Sequence, residues 1–256
     1  MALQLLIPDW PAPETVKAAV TLRRGGNSLP PFDESNMALH VGDQPELVIE
    51  NRRQLAEALR LPREPLWLEQ VHGVDIVSHS GTFSIVASDS TKADGSFSDT
   101  PGMVCAVMTA DCLPVLLCNL AGTRVAAVHA GWRGLSAGIL RKAVGLFGEE
   151  ASQVMAYLGP AIGPEKFEVG EDVLAAFRVN ARTQAHCQQI NNAFKRGVKP
   201  GKYFADLYAL AGFELRALGV KQIYGGAFCT FTDSERFYSY RRESKTGRHA
   251  SLIWLE

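Results

Sequence analysis

The stretch "TADCLPVLLCNLAGTRVAAVHAGWRGL", running from Thr109 to Leu135, decides how this chain reads. Two strand-length apolar runs, "LPVLL" and "VAAV", are separated by turn residues, and Cys112 and His129 stand at their ends. Buried strands rarely need a thiol and an imidazole at their exits. Outward from there, "MVCAVMTA" (103–110) is a third β-like run, and "GLSAGILRKAVGLFGEE" (134–150) is helical, with Ile139, Leu140, Val144, Leu146 and Phe147 as its apolar stripe. "QPELVIENRRQLAEALRL" (44–61) carries apolar residues at helical spacing, and "PLWLEQVHG" (65–73) reads as a strand with a polar exit. A strand at "QVMAYLG" leads to the turn "GPAIGP"; helices are expected near 171–179 and 204–218, and strands at "KQIYGGAF" and "ASLIWL". "RRGGNSLPPFDESN" (23–36) is loop-like, with a Gly pair and a Pro pair as breakers. No strict βαβ rhythm is present and no glycine-rich phosphate loop follows a strand. The expected fold is α+β (mixed α/β), a layered sandwich of mixed β-sheets flanked by helices, in one domain spanning 1–256.

Composition removes several classes of function. The chain has 256 residues, a formal net charge of -1 and no long Lys/Arg run, which argues against nucleic acid and anionic membrane as partners. Its apolar runs are too short to span a bilayer. The N-terminus lacks a basic region and meets Pro8 and Pro11 early, unlike a signal peptide. Five cysteines without a repeating spacing suit a reducing compartment. A cytoplasmic protein is the expectation.

Three candidate ligands stand where apolar segments yield to turns: His72 in "LEQVHG", Cys112 in "TADCLP" and His129 in "AVHAGWRG". One thiolate and two imidazoles favour Zn²⁺, and three protein ligands leave a fourth tetrahedral position for water or substrate, as in catalytic zinc sites. The competing reading is a buried Cys acting as a small hydrophobe and two histidines satisfying local hydrogen bonds. The spacings match no zinc-finger or metalloprotease motif. A third reading makes Cys112 a nucleophile and His129 its base, a thiol hydrolase; it leaves His72 without a role and requires an oxyanion hole.

"WLEQVHG", "TADCLPVLL", "HAGWRGL", "LGPAIGPEKFEVG" and "FYSYRRESKTGRHASLIWL" resemble the signatures of the multicopper polyphenol oxidase, or laccase-domain, family, also described as purine nucleoside phosphorylase and adenosine deaminase-like. The resemblance runs from "RRGG" to the last strand, and within the family it is strongest to the bacterial peptidoglycan editing factor group. It implies that His72, Cys112 and His129 are the metal ligands and that Zn²⁺ is the cofactor. It implies phosphorolysis of adenosine, inosine and 5'-methylthioadenosine and deamination of adenosine, with purine nucleoside and phosphate as small-molecule partners. For the editing group it implies removal of misincorporated L-Ser from a UDP-muropeptide precursor. Copper is the weaker alternative: a type 1 site plus a trinuclear cluster needs more histidines than the six here, although a single copper with Met108 as axial ligand is conceivable.

Other residues carry divided readings. Catalytic candidates are Cys112, His129 and Asp111, the last either orienting a ligand and moving a proton or tying its turn by a buried hydrogen bond. Gly131 and Arg133, just before a helix, form a candidate anion site; the alternative is chain turning and a solvated helix end. Arg241, in "YSYRRE", is a second candidate for a phosphate or carboxylate, or a surface charge. Asp94 in "KADG" is either polar and near the cleft or a turn-stabilising carboxylate. His40 is structural or pocket-lining; Cys105, Cys118 and Cys229 are expected as core thiols, and His79, His186 and His249 carry no special role. A monomer or small homo-oligomer is expected.

Overall fold

The central apolar runs are long and uninterrupted because layers cover them on both faces. The computed structural model describes residues 2–79 and 91–256. In chain order its elements are β1 (Leu5–Leu6), β2 (Val16–Thr21), α1 (Pro45–Leu59), β3 (Ile76–His79), β4 (Gly95–Ser98), β5 (Val104–Thr109), β6 (Leu113–Asn119) and β7 (Val125–Ala130). Next come α2 (Trp132–Ala137), α3 (Ile139–Gly145), β8 (Val154–Leu158), β9 (Glu168–Gly170), α4 (Glu171–Val179), α5 (Gln184–Asn192) and β10 (Phe194–Arg196). The chain closes with β11 (Lys202–Ala205), α6 (Leu207–Leu218), β12 (Gln222–Gly225) and β13 (His249–Leu255).

Among the described residues these form three sheets. One is four-stranded, in the order β1-β2-β13-β5, and antiparallel throughout. The second is six-stranded and mixed, in the order β12-β8-β6-β7-β4-β3, with β12–β8 and β3–β4 parallel. The third is a small antiparallel sheet, β10-β11-β9. The two large sheets face each other: Val16, Cys105, Val107, Ile253 and Leu255 meet Leu116, Cys118, Val125, Ala127, Met155 and Tyr157 in one apolar layer. Because side chains alternate along a strand, the intervening residues face outward. Leu113, Val115, Leu117, Val128 and Ala130 pack against α2 to α6. Val104, Ala106, Met108, Leu252 and Trp254 pack with Leu55 of α1. The α+β sandwich flanked by helices is therefore what the chain builds. No helix among the described residues is long and apolar enough to cross a membrane.

Several local expectations are corrected. Residues 65–73 do not form a strand; an isolated bridge at Leu66–Cys105 joins them to β5, and another at Glu69–Lys92 joins them to the segment before β4. The Leu66 N–H donates to the Val104 carbonyl (3.2 Å). The Gln70 amide then stands in for a backbone partner, donating to the Met108 carbonyl (2.8 Å) and accepting its N–H (2.7 Å). The helix expected over 134–150 starts at Trp132 and is cut in two by Gly138, whose φ of 93° is left-handed. The final long helix begins at Leu207 because the Asp206 carboxylate caps it, accepting from the Ala209 N–H (2.9 Å), and Phe204 and Ala205 belong to β11. Cys105 and Cys118 are core thiols, whereas Cys229 is half-exposed, its sulfur accepting from the Gly163 N–H at 3.2 Å.

The turn after β5, the start of β6, the end of β7 and the start of β4 all lie at one end of the sandwich, since Leu113 pairs with Ala130 and Gly95 with Val128. That shared end carries the site. Leu116, buried between the two large sheets, tests the layer beneath it: Leu116→Ala is expected to cost about 2–5 kcal/mol through lost burial and a residual cavity. A urea transition whose midpoint does not move would contradict this packing.

Candidate metal centre

Cys112 immediately precedes β6 and His129 is the penultimate residue of β7, so the antiparallel ladder sets them side by side. His72 reaches them from the irregular segment after Gln70, at a φ of 61°. One ligand atom from each of the three lies within 4.8 Å of the others. Cys112 Sγ is 3.9 Å from His72 Nε2, and the two imidazole rings are nearly perpendicular, with centroids 4.8 Å apart. A tetrahedral ion with bonds of about 2.0–2.3 Å sets its ligand atoms about 3.5 Å apart, so small side-chain movements close this triangle on an ion. Gly131 leaves the space open. A Cβ there would stand 3.0 Å from Cys112 Sγ, 3.2 Å from His72 Cδ2 and 3.4 Å from His129 Nε2.

One buried carboxylate organises two of the three ligands. Asp94 Oδ1 takes the His129 Nδ1–H at 2.8 Å and the His72 backbone N–H at 2.9 Å. Its Oδ2 takes the backbone N–H groups of Gly73 (2.6 Å) and Val71 (3.3 Å). These bonds hold His72 in its left-handed conformation, and the bond to Nδ1 leaves His129 Nε2 to face the site as a lone-pair donor. Burial would raise the Asp94 pKa, but the His129 hydrogen bond and then the Gly73 and His72 amides outweigh it and lower it. Burial also works against the charged forms of Cys112 and His129. Hydrogen bonds and charge from His129, then His72, nevertheless bring the Cys112 thiol down to about 6. The Asp94 and Cys112 partners push His129 up to about 9. One thiolate and two ring nitrogens, on residues ranging from exposed His72 to buried His129 and braced by the Asp94 carboxylate behind them, are a donor set suited to a divalent cation, whose binding releases the protons these groups carry.

The trio forms one wall of a cavity of about 430 Å³, lined also by His40, Gln70, Met108, Tyr240 and Arg248. Arg248 was not singled out by sequence reasoning; its signal was only its position in the "RHASLIWL" block. Arg248 Nη1 is held by the carbonyls of Thr246 (2.8 Å) and Gly247 (3.0 Å). His40 takes the pocket-lining place. Asp111, at a φ of 86°, turns its carboxylate away to Thr230 Oγ1 and the Arg241 N–H, both at 2.6 Å. Arg133 is exposed, its guanidinium 4.4 Å from the Trp132 ring centroid, and Arg241 donates to the Glu168 carbonyl (2.9 Å); neither lines the cavity. The Met108 thioether, the axial ligand of a copper reading, lies 4.0 Å from the Arg52 guanidinium. His249 is buried against the Thr21 carbonyl and the Tyr238 N–H, and His186 faces Glu214 at 3.8 Å. The His79 side chain lies outside the described residues.

Residues 17–256 match the model of the family described as multi-copper polyphenol oxidoreductase laccase. The chain is 51% identical over 253 residues to the purine nucleoside phosphorylase YfiH of Escherichia coli (strain K12), covering 98% of this chain and 99% of the relative. It is 51% identical over 251 residues to the purine nucleoside phosphorylase PA4543 of Pseudomonas aeruginosa, covering 98% of both. Among solved structures, the Neisseria meningitidis protein NMB0706 superposes with a TM-score of 0.89 at 45% identity, covering 98% of this chain and 99% of that one. YlmD from Geobacillus stearothermophilus gives 0.88 at 31% identity, covering 99% and 98%.

Two substitutions test the centre without removing a ligand. Asp94→Asn is expected to weaken binding of a divalent metal ion about 10- to 100-fold, as loss of a ligand-orienting carboxylate does. Gly131→Ala is expected to weaken it as well, by placing a methyl group among the donors. Competition with a chromogenic chelator measures both, and wild-type affinity in both variants would refute the arrangement.

Proposed function

Because the chain belongs to the multi-copper polyphenol oxidoreductase laccase family, we propose that it is a purine nucleoside phosphorylase whose His72, Cys112 and His129 hold a zinc ion. The observation that carries this reading is the set of three donor atoms within 4.8 Å on the wall of a cavity of about 430 Å³, a volume in the range of small-molecule sites. Zinc is favoured over copper because a thiolate and two imidazoles with one open position are a catalytic zinc set, and because six histidines are too few for a multicopper centre.

In phosphorolysis a phosphate oxygen bonds to C1' of the ribose, the C1'–N9 bond breaks, and its electron pair leaves on the purine, which takes up a proton. Arg248 is the residue we assign to the phosphate. Two carbonyls fix one of its nitrogens, and Nε and Nη2 have no hydrogen-bond partner among the described residues, which leaves a fork for an oxyanion. That role falls to Arg248 and not to Arg133 or Arg241, which stand outside the cavity. His40 and Tyr240 supply the walls for the purine. Asp111 serves by holding the turn that delivers Cys112, its carboxylate being engaged by Thr230 and Arg241. A bound zinc supplies Lewis acidity and lowers the pKa of a water toward about 7. The same capacity would serve deamination of adenosine, in which water replaces the C6 amine and ammonia leaves. A second reading, amide hydrolysis in a UDP-muropeptide precursor, is favoured by one observation: past His40, Gln70 and Met108 the cavity adjoins a second of about 540 Å³.

The as-purified protein, incubated with adenosine and phosphate, is expected to yield adenine, ribose 1-phosphate and inosine by chromatography. Cys112→Ala should reduce all three by at least about 100-fold. Product formation no greater than that of this variant would remove the proposal.

A further inference from the structure

The second chamber has a chemistry of its own. It is lined by Leu39, Arg52, Trp67, Leu68 and Glu69, and shares His40, Gln70 and Met108 with the metal cavity. Gln70 is fixed at the junction by its two bonds to the Met108 backbone, so the two spaces meet at a rigid threshold. Arg52, on α1, lies over the Trp67 ring with its guanidinium carbon 4.0 Å from the centroid. Its Nε and Nη2 donate to the Met37 carbonyl at 3.0 and 2.7 Å. Stacking and this fork lock the guanidinium plane, and Nη1 has no partner among the described residues.

The nearby carboxylates are already engaged. Glu64 accepts the Trp67 Nε1–H at 2.6 Å, and Glu69 lies 3.8 Å from Lys92 Nζ. No carboxylate lies within ion-pair distance of Arg52 or Arg248 among the described residues. His40 stands between these two cations, and after burial itself, the charges of Arg248 and Arg52 are what lower its pKa. The groove thus presents two held guanidinium groups, one in each chamber, neither in a direct ion pair among the described residues; Glu64 acts on Arg52, and Cys112 and Asp111 on Arg248, only at longer range. Phosphorolysis of a bare nucleoside accounts for one of them.

Resting on the nucleoside reading above, we infer that the Arg52–Trp67 chamber is an oxyanion subsite, which receives an anionic extension of the substrate, a phosphate ester or a carboxylate, while the nucleoside occupies the metal cavity. Arg52 supplies the charge and a preoriented donor, and Leu39 and Trp67 cover the apolar stem of the extension.

The test compares adenosine, adenosine 5'-monophosphate and adenosine-5'-carboxylic acid as ligands and substrates of the wild type, Arg52→Met and Leu39→Glu, with pyrophosphate binding measured separately by calorimetry. Both anionic ligands are expected to bind the wild type about tenfold or more tightly than adenosine, the size of one charge-assisted contact. The advantage should shrink as salt is raised. Arg52→Met should bring the ratio to about one and weaken pyrophosphate binding about tenfold, leaving what the Arg248 fork contributes. Leu39 is exposed at the rim, so Leu39→Glu tests the same field by repulsion without touching the α1 contacts and should lower the ratio if Arg52→Met fails to fold. A preference for only one of the two anions would identify its source as phosphate or carboxylate and still support the subsite. An anion preference that is absent in the wild type, or unaffected by both substitutions, overturns it. If adenosine is neither bound nor converted while pyrophosphate binding still depends on Arg52, the nucleoside reading falls and the anion subsite stands.

Discussion

The carboxylate of Asp94 is the constraint on which the site depends. It sits just before β4, fully buried, and accepts four N–H groups: one from the His129 ring and three from consecutive amides of 71–73. A buried ionised carboxylate without such donors is prohibitively costly. The chain therefore gains a charged residue in its interior only by wrapping the loop of His72 around it. The same four bonds that satisfy Asp94 bring together two ligands that are distant in sequence, and the β6–β7 ladder supplies the third.

Cys112 and His129 were legible in sequence because chemistry interrupts a pattern there: an apolar run ends on a group that apolar packing does not require. The central strands, α1 and α4 were legible for the same reason, their periodicity being strong. Asp94 was legible only as a divided reading, near the cleft or stabilising a turn, because a lone Asp between Ala and Gly has the sequence appearance of any turn residue. Its importance lies in what approaches it from elsewhere in the chain. The segment around His72 misled because alternating apolar residues imply a ladder, whereas here a glutamine side chain takes over the backbone pairing. Helix α5, "QAHCQQINN", lacks an apolar stripe and depends on its Thr183 cap and its packing beside α6. Arg248 escaped notice because cation placement is decided by tertiary structure, and two better-advertised arginines, Arg133 and Arg241, competed for the role.

The two descriptions attached to the relatives, a laccase family and purine nucleoside phosphorylases, make different demands on this site. An oxidase must store several electrons. A phosphorolytic enzyme must orient an oxyanion and a sugar and stabilise charge. One soft ligand, two imidazoles and a held guanidinium beside an open cavity suit the second demand, and Cys112 and His129 are set at the ends of strands that lie in a doubly covered core.

The clasp of residues 66–70 on β5 has a consequence beyond the cavity it borders. β5 is the outermost strand of the four-stranded sheet, and an outermost strand with free amides and carbonyls is a template for joining another molecule's sheet and aggregating. Leu66 occupies the carbonyl of Val104, and Gln70 occupies both backbone groups of Met108. The segment that delivers His72 thus doubles as a guard rail against edge-to-edge polymerisation, which ties the solubility of the protein to the same few residues that shape its chemistry.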